Sequence, residues 1–209
     1  MNERIIQVEG RSELRVPPDL AIINCRLAFF AVGYRESQNG LNERVALIRG
    51  VAPGLRLSPD DFKTSEFEIN RTYQELDDKR KIYGYRSTHL LRLELPLDMK
   101  RINAVVAACA GSGAEPEIDV IFTVKDHEPI RLELMSAAIQ TARQRARKLA
   151  DAAGVKLGEV KRIDYGTFDV RVTSYQYDMS EVQLCDGGPA LNPGDLDASD
   201  KVTVTWLIE

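Results

Sequence analysis

Few residues in this chain could do acid–base, metal or nucleophilic chemistry. The sequence holds two histidines, His89 and His127. His89 falls on the same side of an alternating segment as Tyr85, Leu91, Leu93 and Leu95, which reads as a buried or edge histidine rather than a ligand. His127 stands between Asp126 and Glu128 just before a helix-like run, where acids are favoured by the helix dipole. The acids Asp186, Asp195, Asp197 and Asp200 could collect a hard cation such as calcium. Their spacing matches no EF-hand loop, and a solvated acidic loop is the expectation. Gly111–Ser112–Gly113 follows a helix pattern and lacks the lysine of a phosphate-binding loop, so it reads as a helix cap and turn. No Gly-x-Ser-x-Gly elbow marks a nucleophilic serine. The expectation is no catalytic residue, no metal, no cofactor, and no enzyme activity.

Two other constellations remain. Cys25, Cys109 and Cys185 are widely separated, and an odd count cannot close into a disulfide framework. Cys25 and Cys109 lie on inward stripes and read as inert buried thiols; Cys185 sits beside Asp186, whose charge raises a thiol pKa. Arg143, Arg145, Arg147 and Lys148 form a basic cluster on one helix, with Arg143 and Arg147 a turn apart on its outward side. Such a face is by default solvated, and it could also contact phosphates or an acidic partner. From Asp169 to Asp200 there are seven acids against one base, which leaves the rest of the chain positive. Opposite signs of this kind can steer self-association. The candidate partner or subunit contacts are therefore Arg143, Arg147 and Lys148 with Asp195 and Asp197.

These residues are carried on 209 positions, 44% hydrophobic and 29% charged, the make-up of a globular chain that can bury its own core. No apolar run reaches the roughly 18 residues of a membrane span. A net charge of −4 argues against nucleic-acid binding as the main task. The opening MNERIIQVEG has no apolar core of a secretory signal. The expectation is a cytoplasmic protein, with a periplasmic or envelope place as the alternative if a leader has been removed.

Alternation is the clearest structural signal. Leu20 to Ala31 puts Ile23, Cys25, Leu27 and Phe29 on one face. Phe62 to Tyr73 sets Phe67, Ile69, Arg71 and Tyr73 against Glu66, Glu68 and Asn70. Ile82 to Leu95 carries Tyr85, His89, Leu91, Leu93 and Leu95, and the polar run from Glu75 to Arg80 is the hairpin tip between them. Ile118, Val120, Phe122 and Val124 form another row, as do Val202, Val204, Trp206 and Ile208. Helix patterns run from Ser37 to Gly50, from the cap Asp98 to Ala110, and from Glu128 to Ala153 with Pro129 in the first turn and Gly154 at the stop. The inward stripe of the last is Leu134, Ala138, Ala142, Ala146, Leu149 and Ala153.

Strands and helices interspersed without regular βαβ alternation predict an α+β fold, two-layer, with a mostly antiparallel sheet covered on one face by helices. A weak echo between the Gly50–Val51 and Gly154–Val155 helix ends admits an internal duplication. The domain expected is single, 1–209, with an irregular acidic arm at about 167–200, marked by Gly187–Gly188–Pro189 and Asn192–Pro193–Gly194.

Several stretches coincide with one family. Pro18–Asp19–Leu20–Ala21–Ile22, Gly84–Tyr85–Arg86–Ser87, the helix AIQTARQRARKLA at 138–150, and Gly154–Val155–Lys156–Leu157–Gly158–Glu159–Val160 resemble SIMPL-domain proteins. So does Pro193–Gly194–Asp195 followed by Val202–Thr203–Val204–Thr205–Trp206. The resemblance covers essentially the whole chain. The family includes bacterial envelope proteins linked to oxidative stress, a periplasmic immunogen that assembles into rings, and an animal signalling adaptor. It implies a fold and a tendency to oligomerise rather than a chemistry. The expected function is thus a non-enzymatic SIMPL-like protein acting through self-assembly or a protein partner, in stress response by the resemblance. The alternative is a small-ligand-binding protein or enzyme with a pocket under the 167–200 arm, lined by Tyr175, Tyr177 and the loop acids.

Overall fold

The computed structural model describes residues 4–76, 79–166, 175–178 and 192–209. The fold is α+β, with all strand pairs antiparallel and two separate sheets. The described residues fall into two compact units, one drawn from Met1–Pro18, Val124–Ser174 and Gly194–Glu209, the other from Asp19–Thr123 and Tyr175–Pro193.

The first unit contains strand β1 (Ile5–Val16), the 26-residue helix α3 (Glu128–Ala153), strand β6 (Leu157–Asp164) and strand β8 (Leu196–Ile208), with sheet order β1-β8-β6. The inward positions of β1 are Val8, Gly10 and Ser12, and those of β8 include Val202, Val204 and Trp206. Small residues on β1 meet an alanine stripe on α3, so helix axis and strand approach closely. A Cβ built on Gly10 would stand 2.0 Å from the Ala138 carbonyl oxygen and 2.7 Å from the Ala142 nitrogen. Only glycine fits there. Ser12 Oγ donates to the Leu134 carbonyl at 2.7 Å, so this buried hydroxyl is satisfied.

The expected stripe holds for Leu134, Ala138, Ala142 and Ala146 and fails at Leu149 and Ala153. Leu149 is 51% exposed, Ala153 is exposed, and Ala150 is buried instead. The helix crosses the sheet along its i, i+4 ridge to the end rather than shifting to i+3. Gly154 ends α3 at φ +70°, the left-handed cap expected of it. Gly50 does not repeat this: it is the last residue of its helix, and the cap Val51 is right-handed.

The second unit contains β2 (Leu20–Ala31), α1 (Tyr34–Gly50), two 3-10 turns (Ala52–Leu55, Pro59–Asp61), β3 (Lys63–Leu76), β4 (Lys79–Pro96), α2 (Met99–Ala110), β5 (Glu117–Thr123) and β7 (Tyr175–Asp178). Its sheet order is β3-β4-β2-β5-β7. Helices cover one face, as the patterning requires: Leu41, Val45 and Ile48 of α1 and Ile102, Val105, Val106 and Cys109 of α2 share a core with Ile23, Cys25, Leu27, Leu91, Leu93, Val120 and Phe122. The opposite face carries polar pairs, with Asn24 donating to Asp119 at 2.9 Å and Arg26 paired to Glu66 at 3.4 Å, beside the buried Ile22. The Asp98 carboxylate caps α2, accepting from the Lys100 and Arg101 amides. Phe67 and Tyr73, expected on an inward row, are 48% and 41% exposed, because β3 is the sheet edge.

The span read as an irregular arm at about 167–200 contains two strand segments. Tyr175–Asp178 pairs with β5, and Leu196–Asp200 opens β8 opposite Val16–Ser12 of β1. Cys185, Asp186 and Gly187–Gly188–Pro189 lie outside the described residues, whereas Asn192–Pro193–Gly194 is irregular chain leading into β8.

Candidate interaction surfaces and polar clusters

The basic cluster of α3 is placed as the sequence suggests. Arg143, Arg147 and Lys148 are exposed, and none of them makes an ion pair among the described residues. Arg145 differs: its guanidinium donates to the Glu9 carbonyl on β1 at 3.0 Å and so belongs to the helix–sheet contact. The Glu9 carboxyl is held below its ordinary range, first by its hydrogen bond and charge pairing with Arg11, then by Lys201 and Arg145.

Of the acids proposed to answer this face, Asp195 is exposed just before β8, and Asp197 is exposed on β8. Asp197 lies 3.6 Å from Arg15 Nε. Both groups are highly exposed, so the pair adds little stability. Neither acid pairs with Arg143, Arg147 or Lys148 within the described chain. Around Asp197 an open groove of about 560 Å³ is lined by Glu13, Leu14, Arg15, Ala198 and Ser199.

Asp200, grouped above with the loop acids, is buried on β8. Tyr165 Oη donates to its Oδ2 at 2.7 Å, with the Arg131 guanidinium of α3 close to the same phenol. The Asp200 bond and partial burial hold Tyr165 above the usual phenol range. Sequence reasoning missed this cluster. Its signal was present, because the alternation of Val202, Val204 and Trp206 carried backward puts Asp200, Ala198 and Leu196 on the inner face.

His127 is exposed at the N-terminus of α3, where Asp126 Oδ1 rather than the imidazole accepts from the Glu128 amide. Gly111–Ser112–Gly113 is the cap and turn expected: Ser112 Oγ donates to the Cys109 carbonyl at 2.7 Å and accepts from the Ala114 amide. His89 packs edge-on to Phe67, and its Nε2 lies 2.8 Å from Thr64 Oγ1. Burial, then the nearby Arg49 charge, push its pKa down. Among the described residues, no three His, Cys, Asp or Glu side chains gather into a metal-binding group.

Cys25 and Cys109 are buried as expected, but they are not independent. They sit in one core and influence each other's titration. The Cys25 thiol is held well above its ordinary value by the influence of Cys109, by burial and by the Asp119 charge, whereas the influence of Cys25 lowers Cys109.

These features define an α+β protein of antiparallel sheets with charged surfaces. The chain belongs to the SIMPL family, described as a protein of unknown function (DUF541), whose model matches residues 6–206. It is similar to the 26 kDa periplasmic immunogenic proteins of Brucella abortus (strain S19) and Brucella melitensis biotype 1 (strain 16M). Each is 25% identical over 163 residues, covering 76% of this chain and 65% of the relative. The chain thus spans just under two thirds of the length of these curated relatives. No helix among the described residues is long and apolar enough to cross a membrane.

Proposed function

We propose that this SIMPL protein is non-enzymatic and acts through self-assembly or a protein partner, using the cationic face of α3. The observation that carries the reading is the exposed row Arg143, Arg147 and Lys148, which has no acidic partner among the described residues. Exposed charges without an internal partner are free to set the specificity and rate of association. Asp195 and Asp197, exposed at the start of β8, supply the opposite sign. The periplasmic relatives support a periplasmic place for this chain, and the family resemblance supports a part in stress response.

The test is the molar mass in solution by light scattering after size exclusion, at low and high salt. The expected result is a closed oligomer that loosens as salt rises, since exposed pairs are screened within roughly 10 Å at 0.1 M salt. The double reversal Arg143→Glu with Arg147→Glu is expected to weaken that assembly. A monomer at every concentration and salt overturns self-assembly and turns attention to small-ligand binding at the 167–200 arm.

A further inference from the structure

We propose that β1 is a dimerisation edge, along which two copies of this chain join antiparallel about a two-fold axis through Gly10. The two three-stranded sheets then run on as one. This surface is separate from the cationic face of α3 and does not depend on it.

The order β1-β8-β6 leaves a side of β1 and a side of β6 open among the described residues. The two edges differ. Along β6 the pairing slips twice, between Leu157 and Val160 and between Val160 and Arg162, and such bulges turn an edge away from another strand. Along β1 the register runs unbroken for 12 residues with no proline among them. Even-numbered backbone groups turn toward β8: the Ile208 amide donates to the Arg4 carbonyl at 3.1 Å. Odd-numbered groups turn away from it. The Glu9 carbonyl accepts instead from the Arg145 guanidinium, at 3.0 Å. A carbonyl has two lone pairs, so this contact leaves one for a strand N–H. A regular, unblunted edge of this kind is a template for a further strand.

The side chains select which strand and which register. Arg11 stands opposite Lys201 on β8, a like charge, so its other side favours an acid. Pairing about Gly10 supplies one: Glu9 of each copy lies opposite Arg11 of the second copy, and Gln7 lies opposite Glu13. Since the odd-numbered groups make the new hydrogen bonds, the adjacent registers centre the axis on Glu9 or on Arg11. They set Glu9 against Glu9, or Arg11 against Arg11, and like charges directly opposite are destabilising. A two-fold contact must be self-complementary, and the Gly10 register is the one of these three that is. On the helix side it brings Ile6 opposite Leu14, both half-buried in the single chain. Leu149, one turn beyond Arg145 on the same flank of α3, is 51% exposed and adds apolar surface beside this edge.

The test uses the full chain carrying Arg143→Glu and Arg147→Glu, so that the α3 contact and the β1 contact are read separately. Light scattering after size exclusion is expected to give twice the 23.4 kDa chain mass at high protein concentration. Glu9→Arg alone and Arg11→Glu alone each place like charges opposite one another, and each is expected to weaken the dimer about tenfold or more. An equimolar mixture of these two variants is expected to dimerise again, and so is a chain carrying both reversals. Hydrogen exchange at the Arg11 and Glu13 amides is expected to slow as protein concentration rises, which locates the contact on the open side of β1. A monomer at millimolar concentration overturns the proposal. So does a dimer that neither single reversal weakens, or one that the mixture does not restore.

Discussion

Gly10 of β1 lies directly beneath Ala138 of α3, with space for a hydrogen and none for a methyl group. A Cβ there would fall 2.0 Å from the Ala138 carbonyl oxygen, a backbone atom that no rotamer change can move aside. Helix α3 can lie this low because its stripe from Ala138 to Ala150 is alanine at every fourth position.

Gly10→Ala is therefore expected to lift the helix from the sheet. Overpacking of a tight core costs about 1–3 kcal/mol, and a clash with backbone belongs at or above the top of that range. Urea unfolding measures it. A loss below about 0.5 kcal/mol, within the range of an ordinary surface change, contradicts the close approach.

Tyr165→Phe removes the donor that faces the buried Asp200 carboxylate and is expected to cost about 1–3 kcal/mol at neutral pH. The phenol is raised in the fold, so its contribution is fully present below the ordinary value of about 10. It is lost as pH rises through the folded value. Stability profiles of the two proteins are expected to converge in alkali, and parallel profiles would contradict the assignment.

His89 has the opposite sign. Its folded pKa is depressed, so the unfolded chain binds more protons below about pH 6.5. Stability is full above that value and falls as pH drops toward the folded pKa. His89→Gln is expected to flatten this acid limb, read from denaturant midpoints between pH 7 and 5. An unchanged limb assigns the loss to another group.

Ser37 and Ser87 test a buried network. Ser37 Oγ donates to the Phe29 carbonyl at 3.1 Å and lies 2.7 Å from Ser87 Oγ, which then donates to it. Ser37→Ala strands both neighbours and is expected to cost about 1–3 kcal/mol; Ser87→Ala leaves the Phe29 bond and costs about 1 kcal/mol. The double variant is expected to cost less than the two single losses added together, as residues in direct contact do.

Much of the architecture was legible in the chain because alternation and helical spacing are local records of which side is buried. The inner rows of β2, β4 and β5, the Asp98 cap and the Gly154 stop needed only neighbours in sequence. The start of β8 was missed where Pro193–Gly194 suggested loop, although Leu196, Ala198 and Asp200 already alternated with Asp197 and Ser199. Leu149 was placed inward because a helix pattern names a face but not which ridge crosses the sheet, or where the sheet ends.

By itself the sequence determined the fold class, the cationic face of α3 and the acid excess near β8, all of which follow from residue type and local period. Only the tertiary structure decided that Cys25 and Cys109 share one core, that Tyr165 donates to Asp200, and that Gly10 lies under Ala138. Those pairings join elements distant in the chain. They depend on register and on how closely helix and sheet approach, quantities set by the packing of whole faces and carried by no short stretch of residues.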